Sequence, residues 1–272
     1  MRNKYLLLMV AVLSFISCKK DGIYNKPPTM NPPAAALLKD VQISNLPSPY
    51  YHFEYNSSGR VQTVGYASGL ETYSILYTGD KIKEIDNRQI LRLSKLEYSY
   101  DNAGRVSVVS YVKPDGSVEK KVLLSYNGEK LAKLERQLNL NAAFVTDKTF
   151  SFLYDAQGNL AELTTHRTAL MAQSESTSID RFEQYDNKIN VDGFSLIHDE
   201  FFDLLILLPG VQFQKNNPAI LTHSGDGVNF KVQYSYTYND KNVPLRKAGE
   251  LTFLNGPNQG QVTQISTEYS YY

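Results

Sequence analysis

The 272-residue chain has no tryptophan, one cysteine, four histidines and no excess of either charge, with 28 basic and 28 acidic side chains. Each shortage closes off a kind of chemistry. A lone cysteine, Cys18, can form neither an internal disulfide nor a thiolate metal cluster. Charge balance leaves no long-range pull on DNA, RNA or anionic lipid, so nucleic acid is not the expected partner. Missing indole rings weaken any sugar-stacking surface. No apolar run reaches the roughly 20 residues that a membrane-spanning helix needs.

What is present begins with an export signal over residues 1–18. Arg2 and Lys4 form a basic start, Tyr5 to Val12 form an apolar run too short to span a bilayer, and Leu13-Ser14-Phe15-Ile16-Ser17-Cys18 closes it. A small residue directly before cysteine fits a lipobox, with Phe15 standing where leucine is usual. The competing reading is an ordinary secretory signal beside a bystander cysteine. An exported chain with no second cysteine favours lipid attachment at Cys18. Loss of this leader removes two bases and no acid, leaving a slightly acidic remainder. Residues 19–38 hold Pro27, Pro28, Pro32 and Pro33 without apolar periodicity, as expected of an extended tether. The chain is therefore expected to be lipid-anchored in the outer membrane, its folded part (39–272) facing the periplasm or the cell surface.

From residue 50 one pattern recurs: an aromatic strand ending in Tyr, an Asx turn with glycine, a basic or amide residue, then an aliphatic strand. Its copies begin Tyr55-Asn56-Ser57-Ser58-Gly59-Arg60, Tyr100-Asp101-Asn102-Ala103-Gly104-Arg105 and Tyr154-Asp155-Ala156-Gln157-Gly158-Asn159. Shorter copies are Tyr77-Thr78-Gly79-Asp80-Lys81 and Tyr126-Asn127-Gly128-Glu129-Lys130. The Asx side chain can bond its own backbone further on, and the glycine accepts the left-handed conformation of a type I turn with a bulge. Lys113-Pro114-Asp115-Gly116 supplies a turn on the opposite edge. The bases after the turns read as solvated residues that discourage sheet aggregation.

Period-2 alternation, as in Phe230, Val232, Tyr234, Tyr236 and Tyr238 against Lys231, Gln233, Ser235 and Thr237, predicts antiparallel strands with one packed face. The pattern breaks between Asn187 and Asp226, where Leu196 to Leu208 reads as a buried helix stopped by Pro209-Gly210. The fold expected is a single all-β domain. It is a sequential antiparallel hairpin meander of about 12–14 strands, curled around one inserted helix near 195–208.

The hairpin pattern resembles the tyrosine-aspartate repeats of Rhs-type and teneurin-type shell proteins. Tyr185-Asp186-Asn187-Lys188-Ile189-Asn190, then Asn216-Asn217-Pro218, then Tyr236-Thr237-Tyr238-Asn239 with Pro244 resemble a group of Bacteroidota lipoproteins known as a family of unknown function. The resemblance spans about residues 40–272 and departs where the family's Asn-Pro-Phe is Asn190-Val191-Asp192. It implies a fold and an envelope address but no active site.

Candidate sites are few. His198-Asp199-Glu200 with Asp203 could offer an imidazole and carboxylates to a divalent ion, but acids are also what a helix start attracts. His52, His166 and His223 stand without a nucleophile in sequence, and no Gly-x-Ser-x-Gly elbow occurs. Gly225-Asp226-Gly227 reads as a turn, not a phosphate cradle. No catalytic residue, metal site or cofactor is assigned. The leading reading is a non-catalytic binding or scaffold module that uses a sheet face or edge toward a protein or glycan partner. The alternative is an envelope hydrolase or metal-dependent enzyme centred on residues 190–226.

Overall fold

A computed structural model describes residues 37–87, 95–170, 173–197 and 207–272. Sixteen strands follow one another: β1 (Leu38–Ile43), β2 (Tyr51–Tyr55), β3 (Val61–Tyr66), β4 (Glu71–Thr78), β5 (Lys81–Asp86), β6 (Lys95–Tyr100), β7 (Val106–Val112) and β8 (Val118–Asn127). The second half comprises β9 (Lys130–Leu140), β10 (Ala143–Tyr154), β11 (Leu160–Arg167), β12 (Ser176–Tyr185), β13 (Pro218–Gly225), β14 (Phe230–Tyr238), β15 (Pro244–Phe253) and β16 (Val262–Tyr271). Every strand pairs antiparallel with its neighbours in sequence, and β1 pairs with β16, so the meander closes into a barrel.

Closure corrects the expected open, curled sheet of about 12–14 strands. Successive hairpins of one twist either leave two bare edges or join them, and joining satisfies the backbone groups of both. The seam is well bonded: Leu38 to Ile43 run against Tyr271 to Thr267. On its outer side Ser270 Oγ donates to Asp40 at 2.8 Å, and His52 Nδ1 lies 2.6 Å from the same carboxylate.

The turn chemistry is as the repeat predicts. Gly59, Gly104 and Gly158 take φ of 70°, 81° and 84°. In the first two copies the Asx oxygen accepts from two backbone N–H groups, those of Ser58 and Arg60 on Asn56 and those of Ala103 and Arg105 on Asp101. A register shift falls immediately before the tyrosine that opens each such turn, at Tyr55, Tyr77, Tyr100, Tyr126, Tyr154 and Tyr238. A bulge there adds twist and re-aims the side chain.

One face of every strand looks into the barrel. The adjacent residues Tyr98, Val109 and Val122 form one inward row across β6, β7 and β8, all buried. A sixteen-stranded barrel is wide enough to leave a channel. Here the long β12–β13 connection turns into it: Phe194, Ile197, Leu207, Leu208 and Phe213 belong to the same core as the inward strand residues. Phe194 sits edge-on to Tyr51 and Phe53 at 5.2 and 5.4 Å, Phe213 packs on Phe152 at 5.0 Å, and Tyr98 donates to the Leu207 carbonyl at 2.8 Å. The expected inserted helix is not supported among the described residues. Its flanks are a 3-10 turn, Gly193–Ile197, and a non-helical segment from Leu207, while 198–206 lie outside them. At the described flanks Ile197, Leu207 and Leu208 are buried without belonging to an α-helix.

Candidate functional site

All the Tyr–Asx–Gly turns lie at one end of the barrel, here termed the turn rim, together with the β12–β13 connection and the start of β1. At this rim successive hairpins are clasped by their tyrosines. Tyr77 donates to the Val61 carbonyl, Tyr100 to Ile82 and Tyr126 to Val106, at 2.8, 2.7 and 2.8 Å. The pattern continues with Tyr185 to Leu160, Tyr236 to Pro218, Tyr271 to Pro244 and Tyr55 to Leu38 at 2.5, 2.9, 2.6 and 2.8 Å. Each hydroxyl thus satisfies a carbonyl in the strand before its own, and the last bond ties β2 to the start of β1. Burial pushes the Tyr100 and Tyr126 hydroxyls up to about 12, which keeps them protonated as donors. The Tyr154 hydroxyl is buried without a hydrogen bond among the described residues.

The basic residue after each turn completes the clasp from above. Arg60 lies 4.7 Å over Tyr77, Lys81 4.7 Å over Tyr100, Arg105 4.5 Å over Tyr126 and Lys130 4.8 Å over Tyr154. Arg60, Arg105 and Lys130 also donate to the glycine carbonyl of the next turn, Gly79, Gly128 and Gly158. These cations are therefore more than solvated edge residues, which is all that the repeat alone implies. Each covers the ring of the next hairpin, an attraction worth about 0.5–1 kcal/mol at an exposed site.

Where the repeat carries Asn159 instead of a base, the partner is the inserted connection. Asn159, buried, accepts from the backbone N–H groups of Lys215 and Asn216 at 2.8 and 3.0 Å. Beside it the Leu160 N–H donates to the Phe213 carbonyl at 2.8 Å.

On the other flank Asp186 accepts from the Asn217 backbone N–H and from Tyr238, while Asn190 accepts from the Gly193 N–H at 2.9 Å. Asp192, where the pattern it resembles has an aromatic, meets Lys247 of β15 at 2.5 Å and accepts from Tyr269 of β16. Burial pushes the Asp192 carboxyl up, but the Lys247 ammonium and the bonds from Lys247, Tyr269 and Asn190 hold it below the usual carboxylate value. Burial likewise works against the Lys247 charge, and Asp192 outweighs it, leaving that ammonium harder to deprotonate than usual.

The outer wall has the opposite character to the lumen. Glu97, Ser110, Lys121, Gln137 and Thr146 form one outward row across β6 to β10. Glu183, Ile220, Gln233, Glu250 and Gln264 form another across β12 to β16. A lipid-facing barrel has the reverse arrangement, with an apolar band outside, and a Lys or Arg at mid-membrane costs it about 2–4 kcal/mol. This wall is built for water.

Among the described residues, those singled out in the sequence do not converge. His52 belongs to the seam on the outer wall, with Asp40 between it and Ser270, so no Ser–His relay exists there. His166 faces Thr177 at 3.1 Å on that wall. His223 points inward, paired with Asp180 at 2.6 Å and stacked on Phe230 at 4.8 Å. Gly225-Asp226-Gly227 joins β13 to β14, and Asp226 accepts from the Thr177 N–H at 2.8 Å. Cys18 and the His198-Asp199-Glu200-Asp203 cluster lie outside the described residues. Among the described residues no group of three His, Cys, Asp or Glu could hold a metal ion. Sequence reasoning missed Asn159, Asp192 and Lys247; the amide in a basic position and the acid in an aromatic position were the available signals.

No protein-family model and no curated protein matches the chain. Among solved structures, the chain is similar to a porin-like protein from Bacteroides uniformis. The match has 15% identity and a TM-score of 0.57, and it covers 82% of this chain and 89% of that one. At that identity the likeness shows the barrel fold alone. A Photorhabdus luminescens Tc holotoxin pore matches at 14% identity over 78% of this chain and 12% of that one. Its TM-score of 0.32 is too low to carry an argument.

Proposed function

We propose that the chain is a non-catalytic lipoprotein of the bacterial outer membrane, acylated at Cys18, whose barrel works as a binding or scaffold module. The observation that carries this reading is the polarity of the two barrel faces. The outward rows are charged and amide-rich, whereas the lumen is filled mainly by apolar side chains packed against the described parts of the inserted connection, and charged groups within it, such as Arg136 with Asp147 and Lys247 with Asp192, are buried as ion pairs. Such a wall does not suit lipid, and the described parts of the connection pack in the lumen, so attachment to a membrane falls to the segment before β1. Because β1 pairs with β16, the described strands offer no free edge for an added strand, and a partner would meet the walls or rims.

The test is metabolic labelling with an alkyne fatty acid in cells that express the chain or its Cys18→Ser variant. Label on the native chain, lost together with membrane attachment in the variant, is the expected result. A variant that stays membrane-bound, or a native chain without label, rejects the anchor. Proximity labelling from the barrel in the same cells then reports which envelope components lie against it.

A further inference from the structure

We infer that the turn rim faces the membrane and that Lys130 and Lys215 on it clasp the phosphate of an anionic phospholipid headgroup. The orientation rests on the reading of Cys18 as the anchor; the cation pair does not. The chain reaches the barrel at this rim, because Leu38 opens β1 and its carbonyl accepts from Tyr55, the residue beside the first Tyr–Asx–Gly turn. A tether ending here brings this end of the barrel nearest to its anchor.

Two ammonium groups converge on the β10–β11 turn. Lys130 Nζ donates to the Gly158 carbonyl at 2.9 Å, and Lys215 Nζ donates to the Gln157 carbonyl at 3.1 Å. A Cβ placed on Gly158 would lie 3.4 Å from the first and 3.0 Å from the second, so the two nitrogens are at most about 6.4 Å apart. That spacing suits two donors on different oxygens of one phosphate, each at about 2.7–2.9 Å. The corresponding arginines are neutralised: Arg105 pairs with Asp101 at 2.7 Å, and Arg60 lies 3.5 Å from Asp80. Among the described residues neither lysine has an ion-pair partner of that kind. Asp155, the acid of the turn on which they converge, accepts from the Asn159 backbone N–H at 2.8 Å. Burial first and Lys215 second push the Lys130 pKa down, with Asp155 and Glu129 opposing. An anion between the two ammonium groups would relieve that repulsion. The even charge balance of the whole sequence conceals this local sorting.

The measurement uses the leaderless chain from Lys19, which keeps all sixteen strands of the closed barrel and carries no acyl group. Co-sedimentation at low salt compares phosphatidylcholine vesicles with vesicles containing phosphatidylglycerol. Binding to the anionic vesicles alone is expected. The Lys130→Gln/Lys215→Gln variant should lose roughly 30-fold in partitioning, as for two lysines near an anionic surface, while Lys113→Gln at the far end should change nothing. Far-UV circular dichroism checks that the variant folds, and salt should release the native chain even if the variant does not fold. Equal binding to both vesicles, or undiminished binding by a folded double variant, overturns the inference. Labelling at Cys18 is read in a separate experiment, so failure of the anchor and failure of this site are told apart.

Discussion

Tyr126 shows what one residue of the repeat contributes. Its ring is covered by Arg105, and its hydroxyl holds the Val106 carbonyl at 2.8 Å. Tyr126→Phe removes only the bond and should cost about 1 kcal/mol in urea unfolding. Tyr126→Ala removes the ring as well and should cost about 3–5 kcal/mol. Equal losses would mean that the ring contributes little. Asp192 obeys different physics. Asp192→Asn leaves Lys247 charged and buried without its counter-ion, at a cost of about 3–5 kcal/mol, whereas Asp192→Leu with Lys247→Met should lie near neutral. A double-mutant cycle measures the difference.

The same pair sets a pH dependence. Asp192 titrates below its ordinary value in the folded chain, so its contribution is full above the unfolded carboxylate pKa and disappears as pH falls through the folded one. Lys247 titrates above its ordinary value, so its contribution is full below the unfolded lysine pKa and is lost as pH rises through the folded one. Native stability minus that of the Asp192→Leu/Lys247→Met variant should therefore be flat at neutral pH and shrink below the ordinary carboxylate range. A difference that grows on acidification would contradict the pairing.

At the scale of the element, the β12–β13 connection is held by polar residues at its ends and by aromatic packing within the lumen. Asn159→Ala strips the acceptor from two backbone N–H groups and should cost about 1–3 kcal/mol. Phe213→Ala removes a buried ring against Phe152 and should cost about 3–5 kcal/mol. Hydrogen exchange distinguishes the two roles. Asn159→Ala should raise exchange at Lys215 and Asn216 first, and Phe213→Ala should raise it across the inward rows of β10 and β11.

For the whole molecule, face polarity makes a prediction that separates this barrel from a lipid-embedded one. The leaderless chain should remain folded and monodisperse without detergent and should open no conductance in planar bilayers. Aggregation relieved only by detergent, or stable channel currents, would contradict a water-facing wall.

The hairpins were legible in the order of residues alone. Tyr–Asx–Gly spacing dictates where the chain reverses, and period-2 alternation dictates which side chains share a face, because both are local properties of a few neighbouring residues. The start of the irregular connection was marked in the same way, but its end was not: the break read as running to Asp226 contains β13 (Pro218–Gly225), which pairs with β12 and β14. Barrel closure, by contrast, depends on β1 finding β16 at the other end of the chain, and no local pattern states that. Nor could the bases after the turns be assigned a partner, since each acts on the ring of the following hairpin. Asp192 and Lys247 became a pair only when the connection entered the lumen. Local backbone chemistry is written residue by residue; the joining of edges and the filling of a lumen follow from what accumulated twist brings together.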